Sequence, residues 1–204
     1  ASLAQARALV NYRALELSRH RSWKGTIRRS ARLAAKGMWI DVGSFSKGYV
    51  ADKAVALLKK RRIENALVIA GGTVCGRGVK PDGSLWQVGV QHPRDPNRLL
   101  TAVALKDCSI STSGDYENFY LKNGRRRGHI IDPRTGAPVS RMQSVSVIAP
   151  DGATSDLLDT PLFVLGPEQG MAAVRGLKGV EVLMVAEGGQ VVYTEGWPQK
   201  NIAY

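Results

Sequence analysis

Between residues 66 and 148 the chain is a succession of short apolar runs cut by Gly, Pro, Asp and Asn, and this punctuation restricts the fold more than any other feature. Segments 66–70, 85–90, 99–105, 109–111 and 143–148 read as strands separated by turns. Segments 116–121 and 126–131 flank Asn123-Gly124, the strongest short hairpin signal in the chain. Segments 180–186 and 190–193 read as a closing hairpin over Gly188-Gly189. Helical periodicity is clearest at 47–61, where Val50, Ala54, Leu57 and Leu58 share one face. Further helices are predicted at 154–165, at 167–177 with Pro167 near its start, and at 3–19, which is rich in Ala, Leu, Arg and Glu. Segments 26–33 and 38–42 read as two more strands. Without a regular strand-helix-strand alternation, the expected class is α+β, dominated by antiparallel pairing, in one compact domain over 1–204.

A length of 204 residues with 44% hydrophobic residues allows a sizeable buried core and argues against disorder. No apolar run approaches the roughly 20 residues that cross a bilayer. The first residue is Ala rather than Met, so the chain reads as a processed form or a piece of a longer one, upstream of which a signal, lipid anchor or further domain can lie. Cys75 and Cys108 lack metal-ligand spacing and could pair or stay free. The net charge of +12 favours polyanionic partners: nucleic acid, an anionic membrane surface or the phosphates of a dinucleotide. The basic residues crowd into 19–32 and 125–127 with few aromatics between them, which disfavours a single-strand nucleic-acid binder. The run 125–127 reads as a solvated hairpin face.

Three segments carry polar chemistry. Asp156 and Thr160, four apart on a predicted helix, can share one face and one cation, since magnesium takes hard oxygen ligands. The structural reading is that Asp156 caps the helix and Thr160 bonds back to a carbonyl. Gly43-Ser-Phe-Ser-Lys-Gly48 lies between a strand and the best helix, where backbone N–H groups and Lys47 form an anion site. Its spacing is not that of a Walker loop, and Ser44 or Ser46 could simply cap the helix. His129 ends a predicted strand before the turn at Asp132, Pro133 and Gly136, placed either for acid-base work or for structure.

Taken jointly, these segments resemble the ApbE-type FAD:protein FMN transferases. The resemblance runs from about Trp39 to Tyr193 and rests on residues 41–52, 65–72, 111–116, 129–136 and 155–160, five motifs in order. It implies a T-fold-related domain that transfers FMN from FAD to a Thr or Ser hydroxyl of a client protein, releases AMP and requires magnesium. The implied client is a subunit of a respiratory or redox membrane complex, and the implied setting is bacterial, periplasmic or extracytoplasmic. On this resemblance Asp156 and Thr160 match the metal ligands, with a loop carbonyl at Ser44. Lys47, Gly43, Ser46, Gly71, Gly72, Thr73, Ser113, Gly114, Asp115 and Ile131 match the FAD-holding region, and His129 matches the histidine associated with transfer.

The chain also departs from the family pattern. Ser44, Phe45 and Ser46 stand where Gly, Ile and Ala are common, Thr73 where Asp is common, and Ile69 where Asn is common. Pro161 follows Thr160 inside a predicted helix, where it removes a backbone donor and is expected to bend the helix. Members of the family are longer than this chain, and their N-terminal part contributes to the FAD site. The competing readings are a non-catalytic flavin-binding or partner-binding domain of a redox assembly, and an FAD hydrolase producing FMN and AMP.

Overall fold

Cross-strand pairing, rather than helix propensity, organises the beginning of the chain. The computed structural model describes residues 2–198 and 202–204. Its contacts divide the chain into two units, Ala1–Asp41 with Asp132–Ala137, and Val42–Ile131 with Pro138–Tyr204. In the first unit the helix expected at 3–19 is cut to α1 (Leu3–Ala8), capped by a reciprocal Ser2–Gln5 box. Asn11 then accepts from the Arg13 N–H and starts a single 3-10 turn. From there β1 (Leu15–Arg21) pairs antiparallel with β2 (Ile27–Leu33). Propensity is a weak term that a formed ladder outweighs, and Ser22–Gly25, with Gly25 at φ +79°, closes the hairpin. The strand expected at 38–42 does not form, having no ladder partner among the described residues.

The second unit is built on a six-stranded antiparallel sheet. In chain order its elements are α2 (Ser46–Lys60), β3 (Ala66–Ala70), β4 (Thr73–Arg77), β5 (Trp86–His92), β6 (Asp95–Leu105), β7 (Cys108–Gly114), β8 (Phe119–Lys122) and β9 (Arg125–Gly128). The short β10 (Ile131–Asp132) and β11 (Ala137–Pro138) fall at the sequence boundaries of the two units. After them the second unit continues with β12 (Met142–Ala149), α3 (Gly152–Leu165), α4 (Pro167–Val174), β13 (Glu181–Ala186) and β14 (Val191–Tyr193). The sheet order is β14-β13-β12-β7-β4-β3. Strand β4 was not legible because Gly71-Gly72 reads as a stop. In fact the two glycines form the two-residue turn of the β3–β4 hairpin, with Gly71 at φ +57°. The Asn123-Gly124 turn has positive φ at both residues, +52° and +70°, as a type I′ hairpin requires.

Period-two alternation sends neighbouring residues to opposite faces, and both faces of this sheet are covered. Val145, Val147, Val182 and Met184 pack with Leu162 and Phe163 of α3. Ile110, Leu183 and Val185 pack instead with Val90, Leu100, Val103 and Leu105 of the β5–β6 hairpin and with Trp197. Burial on both sides explains why β12 and β13 read as nearly continuous apolar and small residues. The α+β class and the antiparallel dominance expected from the sequence are both present.

Both cysteines are free. Burial, helped by nearby Asp52 and Asp151, pushes the Cys75 thiol up to about 12, so only about one part in ten thousand is thiolate at pH 8. We expect Cys75 to resist a thiol reagent in the native protein and to label promptly in urea. Labelling at equal rates in both states would contradict its burial.

Candidate active site

The site grows from three serines on alternate positions of β7. Ser109, Ser111 and Ser113 point to the α3 side of the sheet, and each bonds to that helix. Ser109 Oγ lies 2.9 Å from Ser155 Oγ, Ser111 donates to Asp159 Oδ2 at 2.7 Å, and Ser113 Oγ lies 3.0 Å from Asp159 Oδ1 and 2.9 Å from Thr160 Oγ1. Thr160 Oγ1 also donates to Asp159 at 3.0 Å. Across the ladder, Thr73 Oγ1 lies 3.0 Å from Ser111 Oγ. Because the Ser111 proton goes to Asp159, Thr73 is the donor in that pair. One turn of α3 thus presents Asp156, Asp159 and Thr160 together, the two carboxylates only 1% and 2% exposed.

The start of α2 closes the other side. The Gly48 N–H donates to Asp156 Oδ2 at 2.9 Å, and the Lys47 ammonium sits 3.2 Å from Asp156 Oδ1 and 2.7 Å from the Gly43 carbonyl. The Lys47 stem runs against the Gly71 turn so closely that a Cβ on Gly71 would fall 2.7 Å from Lys47 Cδ. A Cβ on Gly72 would lie 3.0 Å from the Thr112 carbonyl. Asp52 on α2 accepts the N–H groups of Gly152 and Ala153, and Asp151 accepts that of Thr154, so two carboxylates tie down the N-terminus of α3.

The fold therefore gathers Lys47, Gly43, Gly71, Gly72, Thr73, Ser113, Asp156 and Thr160 at one place. The capping reading of Asp156 is set aside, since Asp151 caps α3. Ser44 and Ser46 are half-buried, and neither caps α2, whose N-cap residue is Phe45. Asp115 is held elsewhere by a bidentate pair with Arg94 at 2.7 and 2.9 Å. Gly114 is fixed by Tyr116, whose ring would meet a Cβ at 2.4 Å. Ile131 is 47% exposed. His129 is also exposed, and its Nδ1 bonds to the Asn118 carbonyl at 3.2 Å. It follows Gly128, which packs on Asp115, two residues beyond Ser113. Arg126 corrects the solvated reading of 125–127: it is half-buried, 3.8 Å from Asp115 and over the Phe119 ring. The Arg125 side chain lies outside the described residues. Helix α3 runs on through Pro161 to Leu165. Pro161 and Leu157, whose carbonyl loses its donor, lie on the exposed side, where water can replace the bond.

Asp159 is the residue the sequence reading passed over. Its signal was the i, i+3, i+4 pattern of Asp156, Asp159 and Thr160 facing a Ser-x-Ser-x-Ser strand. Burial raises the Asp159 carboxyl from 3.8 to about 6, against the lowering effect of its three hydroxyl partners and with help from Asp156. Since the folded value lies above the unfolded one, this group favours folding fully below pH 3.8 and withdraws that favour as pH rises through about 6. Asp159→Asn should therefore be more stable than the parent at pH 7.5 in metal-free buffer, by roughly 1–3 kcal/mol, with the gap closing at pH 4. Urea unfolding at the two pH values checks this, and a gap independent of pH would refute it.

The donor set suits magnesium. It offers only hard oxygens, from two buried carboxylates and the Thr160 hydroxyl, with the Lys47 ammonium 3.2 Å from Asp156. Among the described residues no group of three or more His, Cys, Asp or Glu side chains is placed to hold a metal ion, so protein carboxylates would supply at most two ligands. A partial shell is what magnesium uses when water or phosphate oxygens supply the rest.

The site thus combines a carboxylate and hydroxyl cluster on α3 and β7 with the Lys47 ammonium and the Gly71-Gly72 turn. The ApbE family model matches residues 1–184, and the chain belongs to that family. It is similar to the FAD:protein FMN transferase of Escherichia coli (strain K12), 38% identical over 164 residues that cover 79% of this chain and 46% of that protein. The corresponding protein of Treponema pallidum (strain Nichols) is 38% identical over 166 residues, 76% of this chain and 46% of that one. Among solved structures, the ApbE protein of Thermotoga maritima superposes with a TM-score of 0.81 at 30% identity, over 95% of this chain and 60% of that one. The flavin transferase ApbE from Vibrio cholerae gives 0.78 at 28%, with the same coverage. The chain spans about half the length of the curated relatives it matches.

Proposed function

We propose that this chain carries the catalytic core of a magnesium-dependent FMN transferase, moving FMN from FAD to a Thr or Ser hydroxyl of a client protein. The observation that carries the reading is the buried Asp156–Asp159–Thr160 cluster with Lys47 at its mouth, in a chain whose relatives are named FAD:protein FMN transferase. In the reaction the hydroxyl oxygen attacks the flavin-side phosphorus of FAD, the pyrophosphate P–O bond opens, and AMP leaves with the bond's electrons. Asp156 and Thr160, with a loop carbonyl at Ser44, would hold magnesium, which when bound supplies neutralisation of the pyrophosphate charge. Lys47 adds a further cation for the phosphates, and its stem over Gly71 fixes its direction. Asp159 keeps the Thr160 proton turned inward, so the Thr160 lone pairs are free to face a cation. His129 gives its Nδ1 proton to the Asn118 carbonyl, which leaves Nε2 unprotonated in the neutral ring and able to take the hydroxyl proton. Gly43, Ser46, Gly72, Thr73, Ser113, Gly114, Asp115 and Ile131 remain proposed neighbours of FAD, some directly and Asp115 through the Arg94 pair that shapes the end of β7.

The proposed client is a subunit of a bacterial respiratory or redox membrane complex, met on the periplasmic or extracytoplasmic side. No helix among the described residues is long and apolar enough to cross a membrane. The test is to incubate the chain with FAD, magnesium and a peptide bearing a Thr acceptor, then to quantify AMP and the peptide mass. Equal yields of AMP and FMN-peptide support the reading. AMP with FMN and unmodified peptide would make the chain an FAD hydrolase under those conditions, and no AMP at all would sink the transferase assignment.

A further inference from the structure

The β1–β2 hairpin carries an electrostatic arrangement that the isolated fold does not need. Residues 15–33 contain six arginines and lysines against one acid, Glu16. That acid is committed to Arg32 at 2.8 Å. The register then sets Arg19 directly opposite Arg29 on one face, with Arg28 on the other, all exposed. Like charges facing each other across a ladder oppose pairing, and among the described residues Arg19, Arg28 and Arg29 have no acidic partner. An anionic partner would convert that repulsion into attraction.

The end of the hairpin names the kind of partner. Ser22 accepts from the Gly25 N–H at 2.9 Å, which puts Trp23 and Lys24 at the outermost two positions of an ordered turn. Trp23 is 91% exposed, with the Lys24 ammonium 4.9 Å over its ring, and Ile27 beside the turn is also exposed. Arg19 and Arg29 follow two residues behind Arg21 and Ile27, roughly 7 Å back along the strands at about 3.4 Å per residue. An aromatic and aliphatic tip followed by a tier of cations is the depth order of a bilayer interface: Trp at the headgroup level, Arg and Lys at the phosphates. A single-stranded nucleic acid would call for several aromatics in succession along the ribbon, and Trp23 is the only one between residues 15 and 33.

We propose that the β1–β2 hairpin docks this chain on the anionic surface of a phospholipid bilayer, with Trp23 entering the interface and Arg19, Arg28 and Arg29 on lipid phosphates. This docking is independent of the transferase reading and needs no FAD or magnesium.

The full chain should co-sediment with phosphatidylcholine vesicles containing phosphatidylglycerol, not with phosphatidylcholine alone, and should be released by high salt. Adding the mixed vesicles should shift tryptophan emission to the blue, and Trp23→Phe should remove that shift. Arg19→Ser with Arg29→Ser should weaken vesicle binding by about 25-fold, at about five-fold for each arginine. Its urea midpoint should be no lower than the parent's, because the substitution removes a repulsive pair. Equal binding to neutral vesicles, no vesicle binding at all, or undiminished binding by the folded double variant would each overturn the proposal. So would salt-sensitive capture of a single-stranded oligonucleotide through the same arginines by a chain that ignores the vesicles.

Discussion

Asp156→Asn lowers magnesium-dependent AMP release from FAD by at least about a hundred-fold while the protein remains folded. The substitution keeps the size of the side chain and leaves an oxygen to accept the Gly48 N–H, now 2.9 Å from Oδ2. It removes the negative charge that meets Lys47 at 3.2 Å and that would bind a divalent cation. Lys47 keeps its bond to the Gly43 carbonyl, and its side chain is 41% exposed, so the orphaned ammonium can turn to water. The structural penalty should therefore be about 1 kcal/mol or less, set against several kcal/mol of lost charge stabilisation in the reaction. Two readouts separate the roles: calorimetric titration of the apo chain with manganese should lose its binding isotherm, and the urea midpoint should stay near the parent's. Unchanged AMP release in a folded Asp156→Asn protein would remove Asp156 from the metal site and leave the cluster as a structural polar network.

The parts of this molecule that were legible in sequence are those whose signal is local. Helix α2, the Asn123-Gly124 turn and the strand at 143–148 each depend on a few neighbouring residues, and each formed where expected. The face of α2 did not follow its periodicity: Gly48 and Ala51 are the buried positions, because the helix meets α3 backbone to backbone, while Val50 and Leu57 are exposed. Residues 15–21 failed because their structure is decided by partners at 27–33, beyond the reach of a helical window. Strand β4 failed similarly: Cys75, Gly76 and Arg77 have little strand character of their own and are held between β3 and β7. The site shows the same division. Asp156, Thr160 and Lys47 belong to recognisable motifs and the fold unites them. Asp159 became visible only when Ser111 and Ser113 came across from β7 to bond it. The role of Asp115 was equally hidden, since nothing near it in sequence announces Arg94.

Gly48→Ala should destabilise the protein by about 3 kcal/mol or more. Helix propensity alone predicts the opposite sign, a gain of up to about 1 kcal/mol on replacing a helical glycine by alanine. Packing decides. A Cβ at position 48 would lie 1.9 Å from the Gly152 carbonyl oxygen and 2.8 Å from Asp156 Cβ, and these are atoms of backbone and of a buried side chain that cannot swing aside. The constraint is mutual, because a Cβ on Gly152 would meet the Gly48 carbonyl at 2.7 Å and Cys75 Sγ at 2.8 Å. The two glycines let α2 and α3 touch backbone to backbone, and only at that separation can the Gly48 N–H reach Asp156. Relief of the clash must push the helices apart, which breaks that bond and carries Lys47 away from the carboxylate. Stability and AMP release should consequently fall together, unlike the Asp156→Asn case where activity falls alone. A urea midpoint for Gly48→Ala equal to or above the parent's would show that α2 and α3 do not meet through these glycines. The position of Lys47 over Asp156, which depends on that meeting, would then have to be abandoned as well.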